Sequence, residues 1–298
     1  MISPYWGAGF FEFFQVLWLR LFQFITGRLG ANDLVPDEIQ ILVLGFLAIA
    51  AGCIGPLLVL RRMTLLANSL SHTILPGILL AYWIVGTMEL NTLLLGAAVA
   101  ALVTAGLTHL FHRLFRLPED ASIGLVFTAL FALGIFGVSV WFRDLHLGLE
   151  TVTGNVDALQ LSDLRIAGFL ALLNGTILLI CYYPLRAMSF ERGTGWPYFL
   201  LLFLTAATAV GSMRAVGILL VLSLLVGPYL TVRLFCSQLH RILLWTPLLG
   251  IAAALLGVAL SRALLSNWDL PLSTGGIVAL LIACFYGIGH GIRYFRST

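Results

Sequence analysis

RRMTLLANSLSHTILPGILL, residues Arg61 to Leu80, is the stretch that decides the fold. Two arginines close one long apolar run, and a second opens behind them with Asn68 and His72 four residues apart. On a helix that spacing puts both side chains on one face. His72 is the only ionisable residue well inside any of the long apolar segments. Ionisable groups at membrane depth are costly and normally face a cavity or a partner, which makes His72 a functional candidate by default. The same imidazole could equally serve as a hydrogen-bonding group between helices.

Composition says what surrounds that stretch. The 298 residues are 60% hydrophobic and 10% charged, with a mean hydropathy of +1.04, values of an integral membrane protein. The apolar runs are long enough for helical spans and lack the alternation of outer-membrane strands, so the expected fold class is an all-α polytopic bundle. All 16 basic residues are arginine. Without lysine there is no G-x-x-x-x-G-K-[ST] phosphate loop, so ATP hydrolysis by this chain itself is not expected. The arginines are spread among loops and form no single basic face, which argues against a nucleic-acid partner. Cys53, Cys181, Cys236 and Cys284 fall inside apolar segments without C-x-x-C spacing and read as small buried hydrophobes. The N-terminus has neither the basic n-region nor the cleavage site of a signal peptide, and is expected to be retained.

In chain order, residues 8 to 26 are aromatic-rich but broken by Glu12, Gln15, Arg20 and Gln23, the pattern of a segment lying in the membrane interface or of a poor extra span. A polar link, 27 to 38, follows. The expected spans are 39–60, 66–87, 91–111, 121–142, 164–184, 197–211, 215–232, 242–261 and 274–291. The sixth and seventh are short and nearly contiguous, so one could be broken or re-entrant, and the count stands at eight or nine transmembrane helices. Arg61, Arg62, Arg113, Arg116, Arg186, Arg192, Arg233, Arg241, Arg293 and Arg296 fall on one side, against Arg20, Arg28, Arg143, Arg165, Arg214 and Arg262 on the other. The first set is therefore cytoplasmic. All 13 carboxylates lie in loops, in the N-terminal segment or at span edges, which weakens a proton-coupled mechanism. His109 and His112, spaced i, i+3 beside Arg113, read as a solvated or headgroup-facing pair.

RRMTLLANSLSHTILPG (61–77) closely resembles the signature of the ABC type 3 family, the permease subunits of bacterial zinc, manganese and iron importers. There an arginine-methionine turn leads to an aspartate, then S-H and L-P-G. LPEDASIGLVFTALFALGI (117–135) is similar to that family's P-E-D-A-x-I-G segment, and VGILLVLSLLVGPYLTVRL (216–234) to its V-G-x-L-L-V run. The resemblance covers residues 38 to 291 in order. It implies an ABC importer permease fold in a bacterial inner membrane, with 38–292 as the permease domain, 1–37 as an N-terminal interfacial segment and linker, and 293–298 as a cytoplasmic tail.

The resemblance further implies cytoplasmic ATPase subunits, an extracytoplasmic metal-binding protein, and a second permease copy or a related permease as partners. No cofactor is bound permanently; a divalent transition metal is the cargo. Carried over, His72 is the family's pathway histidine, and Asn68 occupies the position of its aspartate. An amide oxygen can coordinate a hard ion but supplies no charge, so the charge would come from a second permease or the ion would be held weakly. Arg61 and Arg62 mark the cytoplasmic mouth. The link 185 to 197 occupies the place of the coupling helix, and Ser189, Phe190, Glu191, Arg192, Gly193 and Gly195 look like a shortened version of it. Its glycines and Pro197 predict about one helical turn at most. The alternatives are a secondary metal/proton transporter, a non-transporting membrane scaffold, or an intramembrane enzyme built on Ser69, Ser71 and His72, which lacks a carboxylate third member.

Overall fold

The structure is a computed structural model that describes residues 4–5, 7, 9–26, 33–86, 90–141, 154–190 and 195–297. Eleven α-helices and no strand occur among the described residues. They are α1 (Phe10–Ile25), α2 (Pro36–Leu60), α3 (Thr64–Val85), α4 (Leu90–Leu114), α5 (Glu119–Trp141), α6 (Leu161–Ile180), α7 (Tyr182–Phe190), α8 (Trp196–Val216), α9 (Ile218–Phe235), α10 (Leu239–Trp268) and α11 (Thr274–Ser297). Each of the nine predicted spans falls mainly on one of these helices. Seven of the helices meet the length and hydropathy of a span, and α3 and α9 supply two further apolar stretches, Leu75–Val85 and Leu219–Phe235. α1 has 16 residues, about 24 Å of helix, less than the ~30 Å hydrocarbon core.

α2 is the axis of the bundle. It packs against α6, α8, α9 and α10, and its inner half is buried nearly all round. Small residues let the neighbours approach: a side chain on Gly52 would strike Pro247 of α10, and one on Gly55 would overlap the Leu225 carbonyl of α9. Asn174 of α6 ties three helices together, its amide donating to the Ala50 carbonyl of α2 at 3.2 Å and to Thr208 Oγ1 of α8 at 2.7 Å. A second group, α3, α4 and α5, packs chiefly on itself and meets α2's group through α8.

Two boundaries differ from the sequence reading. The predicted span 164–184 ends at Ile180, because Cys181 leaves helical geometry (φ −99°, ψ 22°) and the chain restarts as α7. The predicted pair 197–211 and 215–232 is two full helices, α8 and α9, joined at Gly217 alone. Gly217 has φ 81° and ψ 159°, a conformation open essentially to glycine only. Gly154 lies so close that a side chain on it would overlap the Gly217 nitrogen. α11 continues to Ser297, so residues 293–297 extend the last helix.

Candidate functional site

The turn before α3 sets the position of Asn68 and His72. α2 closes with the Met63 amide donating to the Leu58 carbonyl at 2.9 Å and the Arg62 amide to the Val59 carbonyl at 3.1 Å, the paired bonds of a Schellman motif. The left-handed position of that motif, usually glycine, is held here by Arg62 at φ 61°. Met63 is buried behind it and fixes where α3 begins.

α3 docks on α4 through residues four apart. Ser69 and Thr73 are buried, Thr104 of α4 donates to Thr73 Oγ1 at 2.8 Å, and a side chain on Gly77 would overlap the Gly96 carbonyl and the Ala100 methyl. On the α5 side, Gly134 lies against Leu75 and Pro76. Asn68 precedes that packed row by one residue and is half-buried. Position 72 stands one turn further along α3; the His72 side chain lies outside the described residues. The backbone there carries its own feature. Pro76 is inside the helix and has no amide hydrogen, so the carbonyl of His72, four residues earlier, loses its helical donor.

At the end of the bundle expected to face the cytoplasm the two arginines separate. Arg62 is exposed, whereas the Arg61 guanidinium lies 5.7 Å from the centre of the Tyr198 ring, a cation–π contact with a buried tyrosine of α8. His109 is also buried, with its ring 5.3 Å from Tyr198 and 4.9 Å from Phe199, while His112 Nδ1 lies 2.6 Å from the Leu117 carbonyl. The expected solvated pair is therefore corrected to one aromatic-packed histidine and one that closes the α4–α5 turn.

The expectation of about one helical turn at most in the link 185–197 is corrected. α7 is a 9-residue helix, more than two turns, starting before the predicted turn and ending with Ser189 and Phe190. Leu185 and Met188 hold it to the bundle, and Tyr183 and Phe190 are exposed. Ser189 Oγ donates to the Leu185 carbonyl at 2.8 Å. Gly195 is the N-cap of α8, with Pro197 in its first turn. Glu191, Arg192 and Gly193 lie outside the described residues. Phe190 borders a cavity of about 540 Å³ whose walls include Tyr229, Arg233 and Arg293.

The opposite end of the bundle carries polar contacts that sequence reasoning missed. The buried Asp37 carboxylate accepts from Arg262 Nε of α10. Glu38, next along, accepts from Tyr5 Oη at 2.9 Å, from both Arg20 Nε and Nη2, and from the Val35 amide at 3.1 Å. Arg20, held charged more firmly by its bond to Glu38, thus anchors α1 to α2. The available signal was the P-D-E opening of α2, a proline and acid-rich first turn that marks a helix start without naming its partners.

A family model described as the ABC 3 transport family matches residues 39–290. A Chlamydia pneumoniae protein named Probable metal transport system membrane protein is 34% identical over 99% of this chain and 94% of its own length. The manganese transport system membrane protein MntD of Bacillus subtilis is 30% identical over 83% of this chain and 90% of its own. The chelated iron transport system membrane protein YfeD of Yersinia pestis is 30% identical over 77% and 76%. Among solved structures, a chain of PsaBC from Streptococcus pneumoniae superposes with a TM-score of 0.70 at 24% identity, over 90% of this chain and 95% of that one.

Proposed function

The chain belongs to the ABC 3 transport family and is a membrane permease subunit; on that premise we propose that it moves a divalent transition metal inward across the bacterial inner membrane. Manganese and iron are named for relatives, and zinc is kept as a third cargo of the same charge. ATP is hydrolysed on separate cytoplasmic subunits, an external binding protein delivers the ion, and a second permease completes the pathway.

The observation that carries the reading is the chemistry of one turn of α3. Asn68 offers an amide oxygen, and His72 offers an imidazole together with a carbonyl that Pro76 has released from the helix ladder. Nitrogen and neutral oxygen donors at this spacing suit transient contact with a divalent ion that must leave again. Asn68 brings no charge, so a carboxylate from the second permease offsets the ion's desolvation. On the cytoplasmic side, the end of α7 and the residues after it, Ser189 to Gly195 together, receive the ATPase motion, with exposed Phe190 as the contact.

ATP-dependent uptake of manganese, iron and zinc by the assembled complex, wild type against His72→Ala at matched membrane levels, tests this. Loss of uptake with assembly intact is the expected result. Unchanged uptake would make His72 structural, and no uptake of any of the three by the wild type would refute the cargo class.

A further inference from the structure

A second polar site stands at the opposite, external end of the bundle, away from α3. Between α2, the Val156–Ala158 3-10 turn, α10 and the start of α11 lies a cavity of about 430 Å³. Its polar wall is made by Gln40, Asp157, Ser261, Arg262, Ser273 and Thr274. Three observations bear on what fills it.

The first is Gln40. It sits on α2 three residues inside Asp37, is 3% exposed, and makes no hydrogen bond to any described residue. An amide this deeply set is ordinarily satisfied by whatever fills the space it lines.

The second is charge. Arg262 lines the cavity, but its guanidinium is held by the buried Asp37 carboxylate, and that pair is neutral. Asp157 makes no ion pair among the described residues. Among the described residues the wall therefore carries one carboxylate with no cationic partner, which accepts from the Thr274 hydroxyl and, at 3.5 Å, from the Thr274 amide at the start of α11.

The third is the donor set. Thr274 Oγ1 donates to Asp157 Oδ1, and Ser261 Oγ lies 2.9 Å from Thr274 Oγ1, so carboxylate and hydroxyl oxygens are already linked in a chain. The Gln40 side chain lines the same space. No imidazole, thiol or thioether of a described residue lines it. Oxygen donors and one carboxylate in a roomy site suit a hard, partly hydrated divalent cation, and not one that demands sulfur or nitrogen.

We propose that this cavity binds a hard divalent cation at the external mouth, through Asp157 and the Gln40 amide oxygen, with water completing its shell. One carboxylate places the affinity at the weak end of calcium-type sites, with Kd on the order of 10⁻⁴–10⁻³ M. The chemistry admits two sources, the transported ion arriving before it reaches α3, or magnesium or calcium of the external medium. The site is separate from Asn68 and His72, and its test does not depend on transport.

The experiment is a Mn²⁺ titration of the full-length purified chain followed by electron paramagnetic resonance, in which bound ion loses the free-ion signal. The wild type is compared with Asp157→Asn and Gln40→Glu, all in a His72→Ala background that removes the pathway imidazole. Asp157→Asn is expected to weaken this population about tenfold or more, and Gln40→Glu, by adding a charge, to tighten it about tenfold. A gain of affinity cannot be mimicked by misfolding. Retention of Mn²⁺ against millimolar magnesium and calcium assigns the site to the cargo, and displacement assigns it to the medium. Identical titrations for wild type and both variants would overturn the proposal and leave the cavity to water.

Discussion

The carboxylate of Asp37, fully buried at the external end of α2, is paired with the guanidinium of Arg262 on α10, 225 residues away in sequence. It joins the axis of the bundle to its longest helix. Removing one partner leaves a buried carboxylate without its guanidinium, so Arg262→Ala is expected to lower stability by on the order of 3 kcal/mol. Replacing both, as Asp37→Leu with Arg262→Met, should recover most of that loss. Thermal unfolding in detergent checks both, and a double variant no better than Arg262→Ala would refute the pairing as the cause.

The α3–α4 interface depends on a missing side chain. Gly77→Val is expected to force the helices apart and cost about 1–3 kcal/mol, since the added carbons meet a carbonyl and a methyl that cannot rotate away. Gly106→Ala on the same α4 meets nothing within 4 Å and should be neutral or stabilising by about 0.5–1 kcal/mol. Equal behaviour of the two in a melting assay would show that the contact carries no weight.

Pro76→Ala restores an amide hydrogen that can bond the His72 carbonyl. If that oxygen contacts the ion, uptake should fall several-fold with expression and assembly unchanged, while His72→Ala falls further. Full uptake by Pro76→Ala would confine the ligand role to side chains. Loss of the proline's packing on Gly134 is read separately from the melting temperature.

The Tyr5 phenol is raised above its ordinary range, first by burial and then by the neighbouring Glu38 carboxylate. The unfolded segment's phenol ionises near pH 10, whereas the docked one resists. Docking stability is therefore fully present below about pH 10 and is lost as pH rises beyond it. Tyr5→Phe should cost about 1 kcal/mol at neutral pH and abolish that alkaline loss. Proteolytic release of the N-terminal segment across pH 8 to 11 measures it, and a matching alkaline loss in Tyr5→Phe would assign the effect to another group.

The spans were legible because hydropathy and arginine placement are local signals, and alternating helices put the Arg61–Met63 turn on the arginine-rich side. The break at Cys181 was not legible: ILLICYYPL stays apolar through it, and a change of helix direction leaves no mark in hydropathy. His109 was misread for a related reason. Its neighbours His112 and Arg113 suggested water, but Tyr198 and Phe199, which cover it, come from a helix far along the chain. The partners of Asp37 and Glu38 were invisible on the same grounds, since only folding brings Arg262 and Arg20 to them. The α3 candidates were found from sequence because an imidazole among aliphatic residues is a local anomaly.

The single-residue joint at Gly217 limits how the permease can move. With only one residue between them, the external ends of α8 and α9 stay within about two Cα–Cα steps of each other, roughly 8 Å, whatever the rest of the bundle does. The two helices are like the legs of a pair of compasses, pinned outside and free to spread inside. A push delivered next to Trp196 is thereby turned into a swing, opening the inner gap while the outer corner holds still. Paired spin labels near residues 200 and 231 should change separation during the ATPase cycle, and labels near 213 and 221 should not; the reverse pattern would place the pivot elsewhere.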